Sequence, residues 1–215
     1  ISGSGAGGIA TARILLTAGA KNIILFDRQG ALHNARDHGS NMYKEEITRI
    51  TNPTNFRGTI SEAMNGTDLF IGLSESNVLS AEDVKCMNSN AIVFAMSNPD
   101  PEIWPEEALP HITIMGTGRS DYPNQINNSL CFPGFFRGML DVRANSVNDE
   151  MKLAAAKAIA ETVSPDDLDA EYIIPSMFNR MVARNVAKAV ASAAHRTGVA
   201  QRSRQRLGTM AGIIH

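Results

Sequence analysis

Apolar positions in the first part of the chain fall into short runs separated by polar stretches, and each run has a length that suggests its element. Residues 9–18 (IATARILLTA) predict a helix closed by Gly19. Asn22 to Phe26 is a short β run ending at Asp27, and residues 28–42, with Gly30 and Gly39, predict a loop. Tyr43 to Thr51 predicts a helix stopped by Asn52-Pro53, and Ile60 to Met64 another short helical stretch. Asp68 to Gly72 is a buried strand, with Ser74 to Asn77 beyond its C-terminal end. Ser80 is placed to cap a helix running through Met87. Ala91 to Met96 predicts the next strand, and Ser97-Asn98-Pro99 leaves its end. Pro105 opens a short helix, and His111 to Met115 is a further strand followed by a glycine-rich turn. Apolar strands alternating with connecting helices predict an α/β fold, with a parallel sheet covered on both faces.

From Asn127 on, the pattern changes. Residues 148–163 and 178–196 are Ala-rich with helical spacing of Met151, Ala155, Ala158 and Ile159, then Met181, Val182, Val186 and Val190. They predict two long C-terminal helices joined by a turn containing Ser164-Pro165-Asp166-Asp167. The expected organisation is a sheet domain over 1–147, helices over 148–200 and a tail over 201–215.

Composition narrows the function classes. Hydrophobic residues make up 43% and charged residues 20% of 215, ordinary for a globular protein, and the formal net charge is -2. A chain without basic bias does not suggest a nucleic-acid partner. No apolar run approaches the roughly 20 residues that span a bilayer. The two cysteines, Cys86 and Cys131, suit reduced thiols, and with no export signal the expected location is cytoplasmic.

Candidate chemistry begins at Gly3-Ser4-Gly5-Ala6-Gly7-Gly8. Gly3, Gly5 and Gly8 match G-x-G-x-x-G: a tight turn, a close approach for pyrophosphate, and close packing of helix on strand. The following helix would direct free N–H groups and its positive dipole end at the phosphates. Asp27 lies 19 residues beyond Gly8, where a carboxylate can accept from ribose hydroxyls. The fold class is therefore a Rossmann-type doubly wound parallel sheet with long C-terminal helices. Asp27 would repel a 2′-phosphate and favours NAD, whereas adjacent Arg28 would attract that phosphate and keeps NADP open, or is a solvated loop charge. Only Ile1 and Ser2 precede the first glycine, so the chain is expected to begin inside its first strand.

Asn98 sits past a strand end, where open α/β sheets bind ligands, and its amide can donate to a carboxylate or accept from a hydroxyl. A simple turn at Asn98-Pro99 is the other reading. The polar segment from Thr117 to Asn128 suggests a site, with Arg119 and Asp121 paired to hold the loop. The five histidines show no metal spacing. Glu106-Glu107 and Asp166-Asp167 are expected at helix starts, complementing the dipole.

Beyond these local readings, the chain resembles the NAD-binding domain of malic enzyme, of the shorter bacterial type. The resemblance rests on GSGAGGIA at 3–10, DRQG at 27–30, FIGLS at 70–74 and AMSNPDPEI at 95–103. The longest stretch is TGRSDYPNQINN at 117–128 with FPGFFRGMLD at 132–141; residues 148–160 and YIIP at 172–175 continue it. The family oxidatively decarboxylates L-malate to pyruvate and CO2, reducing NAD or NADP with a divalent metal, Mg or Mn. The resemblance implies that Asn98 and Asn128 contact malate or pyruvate. It implies that Gly3, Ser4, Gly5, Ala6, Gly7, Gly8, Asp27, Arg28, Ser74 and Asn98 hold the cofactor. The family's acid–base residues and metal ligands lie upstream of the glycine turn, so no catalytic or metal-binding residue is expected in this chain, which alone should be inactive. The full-length protein would be a homo-oligomer, a dimer. A non-catalytic nucleotide-sensing module of the same fold is the alternative, and an amino-acid dehydrogenase a further one.

Overall fold

The computed structural model describes residues 1–39 and 41–202, so the expected tail lies outside the described residues from 203 on. Two compact units emerge: Ile1–Asn127 with Val163–Ser176, and Asn128–Thr162 with Met177 onward. The boundary expected at 147/148 thus falls inside the second unit.

In the first unit, β3 (Leu69–Gly72), β4 (Ile92–Ala95) and β5 (Ile114–Thr117) form a parallel sheet in that order. Phe70 is paired with Val93 and Val93 with Met115. Ser2 bridges in parallel to both Phe26 and Gly72, so the strand entering the glycine turn lies between β3 and β1 (Phe26–Asp27). All run in one direction, as expected of helical crossovers. Regular pairing at β1 is limited to two residues, shorter than the predicted run from Asn22. The predicted loop after it contains β2 (Gly30–Ala31), which folds back antiparallel on β1. Gly30, at φ +107, supplies the left-handed backbone this tight reversal needs.

The sheet is apolar on both faces. Phe70, Val84, Ala91, Val93 and Met115 belong to one buried cluster, and Ile9, Ala12, Leu25, Leu32 and Ile47 to another. Helices α1 (Ala6–Thr17), α2 (Met42–Thr48), α3 (Ile60–Ala63), α4 (Ala81–Lys85) and α5 (Pro105–Ala108) connect the strands. Ser80 caps α4 as expected and Asp83 closes a reciprocal box; Thr59 and Glu62 do the same for α3. Two boundaries move. The predicted start at residue 9 becomes Ala6, because the helix begins inside the glycine motif. His111 is not at a strand start but in the turn after α5, its N–H bonded to the Ala108 carbonyl.

The second unit packs α6 (Phe132–Val142), α7 (Asp149–Ala160) and α8 (Arg180–Arg196). Helix α6 is absent from the periodicity reading because Gly134 and Gly138 interrupt its apolar spacing. Those glycines are where α8 comes closest: a Cβ on Gly134 would lie 2.7 Å from the Val186 Cβ, and one on Gly138 2.5 Å from the Ala187 carbonyl oxygen. Tertiary packing overrides their poor helix propensity. Met151, Ala155, Ala158, Val182, Val186 and Val190 are buried as predicted, whereas Met181 is 49% exposed because it lies off that seam. Asp166 and Asp167 occupy a turn, not a helix start, so the expected dipole role is corrected.

Gly138→Ala should destabilise the fold by about 1–3 kcal/mol, since a backbone carbonyl and not a flexible side chain opposes the added methyl. Denaturant unfolding with an unchanged midpoint would refute that packing.

Candidate functional site

The site is built where the strands of the first unit end. From Ser2 the chain enters the turn at Gly3, whose φ is +99 and whose missing Cβ would overlap the Leu73 carbonyl. A Cβ on Gly8 would overlap the Gly3 carbonyl, so strand and helix cross with backbones in contact. Gly5 and Gly7 differ: an added Cβ would meet nothing within 4 Å. Ser4 is buried, while Gly5, Ala6 and Gly7 face out. No side chain caps α1, and its first turn carries no acidic residue. Its first N–H groups therefore have no side-chain acceptor and the positive dipole end lies behind them, an arrangement suited to an anion.

Asp27 ends β1 beside this turn. Its carboxylate accepts from Arg36 at 2.8 Å on both oxygens, from Lys44 Nζ at 2.7 Å and from the Gln29 amide at 2.9 Å. Partial burial alone would raise its pKa, but the Lys44 and Arg36 bonds, with the Gln29 amide, outweigh that and hold it at about 2. These donors fill roughly the four lone-pair positions of a carboxylate. A ribose hydroxyl therefore reaches Asp27 only by displacing or sharing a cation. Neither Arg36 nor Lys44 is among the predicted site residues; both lie in or just past the stretch that reads as loop, and only folding brings them to Asp27.

Beyond Asp27, a cleft of about 600 Å³ is lined by Phe26, Arg28, His33, Arg57, Ile60 and Val78 among others. Desolvation, then the charges of Arg57 and Arg36, hold His33 below the usual imidazole range. Arg28 is largely solvated, its side chain 88% exposed and only 3.5 Å from Glu75, so its salt bridge contributes little. On the other side of the turn, Ser74 Oγ and Ser2 Oγ are hydrogen-bonded at 2.7 Å, and the Leu73 amide bonds the Ser2 carbonyl. Ser74 thus forms the wall next to the glycines.

Asn98 is exposed after β4, its Nδ2 bonded to the Met96 carbonyl at 3.3 Å, and the Asn98-Pro99 bond is cis. A Cβ on Gly118 would lie 3.2 Å from the Asn98 amide, so the following strand's end passes close. Arg119 pairs with Asp121 through two bonds of 2.9 and 2.7 Å, donates to the Pro99 carbonyl and lies 5.2 Å over the Trp104 ring. The pairing foreseen for that loop is present, and it holds the Asn98 turn. Asn124, counted with the polar site segment, is a buried clamp: it bonds the Met115 and Ala170 carbonyls and the Ile173 amide. Asn128 lies in the second unit, exposed at the start of a short 3-10 turn. The glycine turn, Asp27, Arg28, Ser74 and Asn98 gather along the C-terminal edge of one parallel sheet.

An open glycine turn running into an uncapped helix at that edge, with an acidic residue after the second strand, defines a Rossmann-type dinucleotide-binding domain. The family described as "Malic enzyme, NAD binding domain" matches residues 3–195. The chain belongs to the malic enzyme family and is its NAD-binding domain. It is 54% identical over 212 residues to an NAD-dependent malic enzyme of Geobacillus stearothermophilus, covering 99% of this chain and 44% of that protein. An NADP-dependent malic enzyme of Rhizobium meliloti is 43% identical, with 94% of this chain and 28% of that protein covered. The crystal structure of malic enzyme from Pyrococcus horikoshii superposes with a TM-score of 0.88 at 42% identity, covering 94% of this chain and 49% of that one. The chain thus spans less than half the length of these relatives.

Because the Asp27 pKa is depressed, its ion cluster stabilises the fold fully above the ordinary carboxylate range near pH 4. That contribution, on the order of 2 kcal/mol, is lost as pH falls toward about 2. Thermal melts of wild type and Asp27→Asn should differ most at neutral pH and converge in acid; a gap unchanged by pH would contradict this.

Proposed function

We propose that the chain seats the dinucleotide of a malic enzyme, with NAD preferred over NADP. The full-length protein then oxidatively decarboxylates L-malate to pyruvate and CO2. The observation that carries the reading is the open space over Gly5 and Gly7 at the uncapped start of α1. Gly3, Ser4, Gly5, Ala6, Gly7 and Gly8 cradle the pyrophosphate by backbone N–H groups. The cleft of Phe26, Ile60 and Val78 takes the adenosine, with Asp27, Arg36 and Arg28 at the ribose. Ser74 flanks the bound chain of phosphates and sugars. The dinucleotide supplies the hydride acceptor. Asn98 donates an amide hydrogen bond to a malate carboxylate, orienting the C2–H toward that acceptor; Asn128 is the other residue that the family resemblance gives to the substrate.

Among the described residues, no three His, Cys, Asp or Glu side chains converge to hold a metal ion, so no step is assigned to the Mg or Mn of the family here. Proton transfer from the malate hydroxyl is likewise assigned to residues outside the 215. No described helix is long and apolar enough to cross a membrane. The reading carries with it a cytoplasmic location and a homodimer for the full-length protein.

The 215-residue chain should enhance NADH fluorescence on binding without reducing NAD in the presence of malate. Gly5→Val separates binding from folding, because its side chain enters open space: affinity should fall at least about tenfold with the melting midpoint nearly unchanged. An unaltered NADH affinity would defeat the assignment. Asp27→Ala should weaken NAD while relatively strengthening NADP, since Arg36 and Lys44 are freed beside the ribose. Paired titrations with equal losses for both cofactors would overturn that role of Asp27.

A further inference from the structure

Glu102 is 0% exposed, an unusual position for a carboxylate, and it lies at the C-terminal edge of the sheet. One oxygen accepts from the Ser74 amide at 3.0 Å and the other from the Ser97 amide at 3.0 Å. Ser74 follows the end of β3 and forms the wall next to the glycine turn; Ser97 follows β4 and directly precedes Asn98. Space for the group comes from Gly72, where any Cβ would overlap the carboxylate. The backbone around it is tied to the same wall: the Asn77 amide bonds the Pro101 carbonyl, and the Leu79 amide bonds that of Glu102. We propose that Glu102 is a positioning residue whose carboxylate bridges the cofactor wall at Ser74 to the substrate turn at Asn98 and holds both in one geometry. This rests on the dinucleotide reading above.

The chemistry favours a carboxylate over any neutral side chain of that size. Each of its oxygens is a charged acceptor facing one N–H, giving strong bonds in a dry setting. In Glu102→Gln the volume is kept, but the amide presents one acceptor and one donor. One of the two backbone N–H groups then faces another N–H, and either the Ser74 wall or the Ser97 turn is released.

The test compares the 215-residue chain with Glu102→Gln and Glu102→Asp by NADH titration, amide NMR and thermal melting. In wild type, the Ser74 and Ser97 amide protons should stand downfield and exchange slowly, and NADH should shift the signals of both Ser97 and Asn98. In Glu102→Gln, NADH affinity should fall roughly five- to thirtyfold, and the NADH-induced shift at Ser97 and Asn98 should be lost. Glu102→Asp, which keeps the charge on a shorter arm, should recover part of the affinity. A folded Glu102→Gln with wild-type NADH affinity and unmoved Ser74 and Ser97 signals overturns the proposal. If that variant does not fold, the wild-type spectra decide: fast exchange at either amide rejects the bridge. Failure of wild type to bind NADH would instead overturn the dinucleotide reading, leaving the two amide signals as a separate test of the bridge.

Discussion

The crossing of the first strand and α1 sets the rest of the site. Gly8 lies against the Gly3 carbonyl with no room for a single carbon, and Gly3 lies against Leu73 in the same way. A side chain at either position would push the helix away from the sheet, or the first strand away from β3. The contact draws the start of α1 down to the sheet edge, so its unpaired N–H groups open where the strands end. Strand order does the rest: β1 lies on one side of Ser2 and β3 on the other, which brings Asp27 and Ser74 to flank the turn.

Two carboxylates then stabilise that edge in opposite ways. Asp27 is only partly buried and is neutralised by two cations, so its charge is locally cancelled and its geometry is bound to Arg36 and Lys44. Glu102 is fully enclosed and satisfied by two backbone amides, which ties together the loops that follow adjacent strands. The first tunes the electrostatics at one end of the edge. The second fixes distances at its middle, where burial makes each hydrogen bond costly to break. Loops beyond sheet ends usually move more than the strands they follow; here the loops after β3 and β4 share an acceptor and are restrained as a pair.

Much of this was legible from short-range pattern. The glycine spacing, Asp27 after the second apolar run, the Ser80 cap and the strand ends at Ser74 and Asn98 all follow from residues near one another in the chain. What was not legible depends on contacts distant in sequence. Helix α6 escaped because Gly134 and Gly138 look like helix breakers until α8 is seen lying against them. Arg36 sits in a polar stretch whose only regular pairing is the short β2 return, Lys44 sits in the first turn of α2, and nothing local says that both reach Asp27. Glu102 looks like one more acid in a proline-rich turn, and its burial depends on Gly72, thirty residues earlier in the chain. Asn124 reads as a site residue because polarity in a loop reads as chemistry, whereas two of its three bonds pin a segment more than forty residues away.

Cofactor choice illustrates how the structure changes the meaning of a motif. An acidic residue after the second strand is read as a ribose ligand that repels a 2′-phosphate. That reading assumes a free carboxylate. Here Arg36 and Lys44 cancel the charge of Asp27, and Arg28 and Arg57 line the adjoining cleft. The field around Asp27 is therefore not negative, and repulsion of a phosphate cannot follow from Asp27 alone. Selectivity depends instead on competition for two cations. While Asp27 holds them, a 2′-phosphate must displace a charge-assisted bond to gain one, a nearly balanced exchange; a ribose hydroxyl asks for less. On the proposed reading, the acid favours NAD by occupying the groups that would otherwise bind the phosphate, and this puts the determinant in the strength of the Asp27 cluster and not in its charge.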